Sequence, residues 1–105
     1  EHNRQIPAAL KNALDVASRP YGSSKWGGKP ALIASNSPGA ISGFGANHHL
    51  RQVLTFLDVD AVAQPEVYLA SVHSLIGTDG SFLNEGTKDF LQAAVDALVA
   101  KVNRY

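Results

Sequence analysis

Apolar residues recur at helical spacing in three stretches of the chain, and two short apolar runs lie between them. In the first stretch Ile6, Leu10, Ala13, Leu14 and Ala17 share one face, with Lys11, Asn12, Asp15 and Arg19 opposite. Pro7 suits the first turn of such a helix, where its missing N–H costs nothing, and Arg19-Pro20 stops it. The glycines and serines of residues 21–29 predict a loop. Residues 31–35 form a short apolar run whose length and Pro/Gly flanks predict a buried strand. A second helix follows over 41–57, with Ala46, Leu50, Val53, Leu54 and Leu57 toward the core and Phe44, His48 and Arg51 on a different face. "DVDAVAQPE" reads as a connection with a short extended piece, and "VYLASV" at 67–72 predicts the second strand. After the turn cluster "IGTDGS", the last helix is predicted over 87–103, burying Phe90, Leu91, Ala94, Leu98 and Val102.

The order helix, strand, helix, strand, helix predicts an α/β layer with a parallel sheet. Two strands are too few to bury three amphipathic helices, since sheets usually hold about four to six. The pattern therefore implies that part of the sheet lies outside these residues or comes from another molecule.

Composition narrows the function classes. The chain has 105 residues, 45% of them hydrophobic, enough for one globular domain and too many for a disordered segment. Nine basic residues balance nine acidic ones. That neutrality argues against a nucleic-acid or anionic-membrane surface, which needs a basic excess. No apolar stretch approaches the roughly 20 residues that span a bilayer, and no signal-peptide pattern is seen. With no cysteine, disulfides and thiolate chemistry are excluded, and the expectation is a cytoplasmic protein.

The segments "EHNRQIPAALKNALDVASRPYG", "KWGGKPALIASNSPGAISG", "HHLRQVLTFLD", "QPEVY" and "GTKDFLQAAVDAL" together resemble the NADPH-dependent FMN reductases, a flavodoxin-like family that includes chromate and quinone reductases. The resemblance runs over essentially the whole chain. It implies the C-terminal part of a five-stranded doubly wound sheet of order 2-1-3-4-5, with the first three strands absent from this sequence. Residues 1–105 would then be a partial domain of that type. The family's Gly-Ser-x-Arg-x-x-Ser type loop, which binds the FMN phosphate, has no counterpart here.

By the same resemblance, Glu1-His2-Asn3 matches the Glu-Tyr-Asn of a loop lying against the isoalloxazine ring, with His2 where tyrosine is usual. Asn3 offers donors and an acceptor to a ring edge. Ser37, in "SNSPG" between strand and helix, is implied as a further flavin contact; as a bare motif, Ser-Pro-Gly is also a common turn. The family implies FMN and NAD(P)H as cofactors, with electrons passing to a quinone, chromate or similar small molecule. It also implies a homodimer or homotetramer with the helix bearing Phe44, His48 and Arg51 in the contact. Many members carry Arg at the position of Gly45 and Tyr at that of His48, so this chain departs from the family there.

Other chemistry is poorly supported. His48 and His49 are adjacent, so on a helix they point about 100° apart and cannot share an ion, while His2 and His73 are remote in sequence. A Ser-His-Asp hydrolase lacks its Gly-x-Ser-x-Gly elbow. Lys25, Trp26 and Lys29 read as a solvated loop with Trp26 tucked onto the domain, or as a substrate mouth. The non-enzymatic alternative is an inactive fragment or an assembly-dependent interaction module, motivated by the missing phosphate loop.

Overall fold

The computed structural model describes residues 1–105, in which helices and parallel strands alternate. Helix α1 (Ala8–Ala17) starts after Pro7 and ends at Ser18, just ahead of Arg19-Pro20. Strands β1 (Pro30–Ala31) and β2 (Ala34–Asn36) follow, then α2 (Phe44–Phe56), β3 (Asp60–Ala61), β4 (Val67–Leu69) and α3 (Glu85–Val102). β1 pairs with β3 and β2 with β4, both in parallel. The α/β expectation holds.

The strand boundaries differ from the sequence reading. The run at 31–35 is divided into β1 and β2, interrupted at Leu32 and Ile33. The second strand stops at Leu69 rather than residue 72, because Ser71 turns left-handed and Val72–Ser74 coils into a 3-10 turn. The extended piece expected in "DVDAVAQPE" is β3.

α1 and α2 meet over a cluster of Ile6, Leu14, Ile33, Ala46 and Leu54, with Leu50, Val53 and Leu57 packed against it. Fully burying a Leu or Ile side chain contributes roughly 1.5–3 kcal/mol. Trp26 folds onto this core and donates its indole N–H to the Leu14 carbonyl at 2.9 Å. That geometry bears out the tucked loop.

The apolar stripes of α1 and α3 are only partly covered. Leu10 and Ala13 are exposed, and of the five residues expected to be buried on α3 only Ala94 is; Phe90 and Val102 are exposed. The cause is the small size of the sheet: its strands hold two or three residues, about 10 Å at most, whereas an 18-residue helix such as α3 is about 27 Å long. The radius of gyration, 15.0 Å, likewise exceeds the roughly 13 Å of a compact domain of about 100 residues.

Asp60 clamps the end of α3 to the start of β3. It accepts from Lys101 Nζ at 2.7 Å and from the Tyr105 hydroxyl at 2.6 Å. The Lys101 and Tyr105 hydrogen bonds hold the Asp60 carboxyl below its ordinary value of 3.8, and the Asp60 bond raises the Tyr105 phenol. A lowered carboxyl pKa contributes stability above the unfolded value and loses it as pH falls through the folded one. Thermal melts of the parent and Asp60→Asn should therefore differ at pH 6, with the parent more stable. The difference should begin to shrink as pH falls toward 3.8 and go on shrinking below it, through the lowered folded value; a gap that does not change with pH across that range would contradict the clamp.

Candidate functional site

The C-terminal ends of parallel strands are where open α/β sheets bind ligands. Two loops reach that end here. The first is a tight turn over residues 1–5: His2 N–H donates to Gln5 C=O at 2.8 Å and Gln5 N–H returns to His2 at 3.0 Å. Asn3 and Arg4 between them carry φ of 51° and 73°, the paired positive values of a type I′ turn. Glu1 and Arg4 approach to 3.6 Å across it. Glu1, His2 and Asn3 are exposed.

The turn is seated on α2. The Arg4 carbonyl comes so near Gly45 that a Cβ there would lie 2.8 Å from its oxygen. Glycine is the residue this approach admits. The Ile6 N–H also reaches His49 Nδ1 at 3.4 Å, which anchors the exit from the turn.

The second loop runs from β2 to α2. Ser37 N–H donates to Leu69 C=O at 3.0 Å, and Ser37 C=O accepts from Val72 N–H at 3.1 Å. The Ser37 hydroxyl accepts the Gly39 N–H at 3.1 Å. Beyond it the N–H groups of Ala40 and Ile41, both exposed, have no internal acceptor. Gly43, at φ 70°, lets this loop enter α2 against Ser35, where a Cβ would meet the Ser35 Cβ at 3.0 Å.

Glu1 and Asn36 line one groove of about 250 Å³, with Ile6, Leu10, Ile33 and Leu50 along its floor. That groove joins the opening turn to the end of β2 and includes none of His2, Asn3 or Ser37. A larger groove of about 650 Å³ between α1 and α2 includes none of Glu1, His2, Asn3 or Ser37. The groups on offer are the Asn3 amide on the opening turn and, on the β2–α2 loop, the Ser37 hydroxyl and two N–H donors without an internal acceptor. No comparable cradle for a phosphate is present in the sequence.

Beneath the loops, α2 presents a polar network. Buried Asn47 donates to Ser35 Oγ at 3.3 Å and to Val67 C=O at 3.1 Å, and accepts from Arg51 Nε at 3.1 Å. Arg51 also donates to Val62 C=O at 3.2 Å. This corrects the outward face proposed for Phe44, His48 and Arg51, because the Arg51 guanidinium turns inward to the strands. Its Nη2 is buried without a partner. Phe44 and His48 do point outward, and their rings pack with Tyr68 at centroid distances of 4.4 and 5.0 Å from Phe44.

The Tyr68 hydroxyl donates to Glu66 at 2.7 Å and lies 2.6 Å from His48 Nε2. Its single hydrogen goes to Glu66, so His48 Nε2 carries the proton in that contact. The Tyr68 bond lowers the Glu66 carboxyl, while desolvation, followed by Glu66, raises the Tyr68 phenol. His48 and His49 serve different partners, and no group of three or more His, Cys, Asp or Glu is placed to hold a metal. No helix is long and apolar enough to cross a membrane.

Several of these features escape sequence reasoning. Ala40 and Ile41 offer only backbone N–H groups and Asn47 is a polar residue inside a helix, so none carries a side-chain signature. The Gly43-Phe-Gly45 pattern at the start of α2 is the one signal of close backbone approach.

Parallel strands, flanking helices and loops at the strand ends define a flavodoxin-like α/β layer. The model of the NADPH-dependent FMN reductase family matches residues 1–74, and the chain belongs to that family. It is similar to a quinone reductase from Pseudomonas putida, 54% identical over 106 residues, covering 99% of this chain and 56% of that protein. A 2-hydroxy-1,4-benzoquinone reductase from Burkholderia sp is 46% identical, covering 97% and 56%. Among solved structures, the flavoenzyme NAD(P)H:(acceptor) oxidoreductase FerB from Paracoccus denitrificans superposes with a TM-score of 0.90 at 38% identity, over 99% of this chain and 57% of that one. The chain spans about half the length of the curated relatives it matches.

The contact at Gly45 yields a test. In a helix Gly→Ala ordinarily gains roughly 1 kcal/mol, but here the added methyl meets a carbonyl. Gly45→Ala should displace the opening turn, so that the Gln5 amide loses its protection from hydrogen exchange. Unchanged protection would mean that the turn is not seated on α2.

Proposed function

We propose that the protein works in flavin-dependent electron transfer, with FMN at the strand ends, NAD(P)H as donor and a quinone, chromate or similar small molecule as acceptor. FMN, when bound, supplies the chemistry: hydride uptake from the nicotinamide and delivery of electrons to the acceptor. The observation that carries this reading is that the N–H groups of Ala40 and Ile41, two exposed residues of the loop that carries Ser37, have no internal acceptor. Family membership supplies the kind of ring they would face.

In this reading Ser37 and the two N–H groups hold an electronegative ring edge. Asn3 offers its amide to a second edge, His2 stacks or caps the ring, and Glu1 braces the turn through Arg4. No acid, base or nucleophile is assigned among these residues. Phosphate recognition is assigned to none of them either. We read residues 1–105 as part of a single flavodoxin-like domain. The relatives named quinone reductase and 2-hydroxy-1,4-benzoquinone reductase support a quinone-type acceptor.

The proposal includes a homodimer or homotetramer with the exposed Phe44 and His48 in the contact. Phe44 is 50% exposed despite its size. A monomer by light scattering would remove that part.

The protein, expressed with any residues its gene encodes outside 1–105, should quench FMN fluorescence on titration and oxidise NAD(P)H with a quinone. Ser37→Ala and Asn3→Ala should each weaken FMN binding by about tenfold, the cost of one good hydrogen bond to the ligand. Absence of both binding and turnover would instead favour an inactive or assembly-dependent interaction module.

A further inference from the structure

Five residues other than glycine hold a positive φ: Asn3, Arg4, Ser42, Asp58 and Ser71. Such conformations are uncommon for these side chains and persist where their surroundings impose them. Asp58 precedes β3, at the N-terminal end of the sheet. The other four border the loops at the C-terminal end. Asn3 and Arg4 make the opening turn and Ser42 leads into α2, which leaves Ser71 without an assigned role.

Ser71 has φ 47° and ψ 46°. The bend lets consecutive N–H groups reach across to the β2–α2 loop: Ser71 donates to Gly39 C=O at 3.2 Å and Val72 to Ser37 C=O at 3.1 Å. With the Ser37 N–H bonded to Leu69, the loop is gripped three times by one short segment.

The first of these bonds has a consequence for direction. A trans peptide is planar, with its C=O and N–H pointing opposite ways. The bond between residues 39 and 40 is not among the cis peptides. Pinning Gly39 C=O toward Ser71 therefore turns the Ala40 N–H away from β4, where it finds no internal acceptor. The Ser37–Pro38 peptide has no N–H, so gripping it aims no donor.

We infer that Ser71 is a positioning residue for flavin: its left-handed backbone grips Gly39 and so fixes the Ala40 N–H as a donor to the electronegative edge of the ring. The inference rests on the flavin reading above. Ser71 acts through Gly39 and need not touch the ligand. A donor aimed at that edge is strengthened as the ring gains negative charge, so it favours the reduced form.

Three variants of the protein, with any residues encoded outside 1–105, test the inference through FMN affinity, the midpoint potential of bound flavin, and melting temperature. Ser71→Gly keeps the left-handed conformation and should bind FMN within about twofold of the parent. Ser71→Val disfavours that conformation; it should weaken FMN binding by about tenfold and lower the potential. Asp58→Val imposes the same kind of backbone penalty at the opposite end of the sheet. It should lower the melting temperature and leave FMN affinity and potential unchanged. Parental affinity and potential in folded Ser71→Val would overturn the inference alone. Equal losses of affinity in Ser71→Val and Asp58→Val would also overturn it, by reducing Ser71 to a stability role. A parent that binds no FMN would overturn the flavin reading and the inference together.

Discussion

The buried amide of Asn47 is the contact on which the remaining geometry depends. From one position on α2 it bonds a β2 side chain, a β4 carbonyl and Arg51. Each bond contributes a net of roughly 0.5–1.5 kcal/mol, but leaving the buried partners unsatisfied costs roughly 1–3 kcal/mol. The amide therefore sets the distance between α2 and the two strands more sharply than apolar packing does. Ser35, one of its partners, in turn accepts the close approach of Gly43, which starts the helix.

With α2 fixed in this way, the site is assembled by backbone. The opening turn rests on Gly45, the β2–α2 loop enters through Gly43, and the segment after β4 holds that loop from the other side. Side chains contribute little to this framing. Donors placed by backbone cost little entropy to order and cannot rotate away, which suits the flavin site proposed for these loops.

The helices were legible because their apolar residues repeat at the period of the helix. α2 was predicted over 41–57 and spans Phe44–Phe56; α3 was predicted over 87–103 and spans Glu85–Val102. Parallel α/β organisation followed from the alternation. Burial was less legible. Phe90 and Val102 have the spacing of core residues, yet a pair of short strands cannot cover them. Arg51 shares a helical face with Phe44 and His48, but its long side chain folds inward to carbonyls contributed by residues far along the chain. Spacing along one element carries no information about such partners.

The same reason hides most of the site. Family resemblance pointed to Glu1, His2, Asn3 and Ser37, whereas nothing in the residues marked Ala40, Ile41 or Ser71, whose proposed part is played by peptide groups. Gly45 looked like a departure from the family and has a local cause in the Arg4 carbonyl. The most direct test of the ring-edge site uses riboflavin, which has the ring and no phosphate, added to isotopically labelled protein while backbone amide shifts are followed. The account predicts the largest changes at Ala40, Ile41, His2 and Asn3. Changes confined to the groove between α1 and α2, or none at saturating riboflavin, would contradict it.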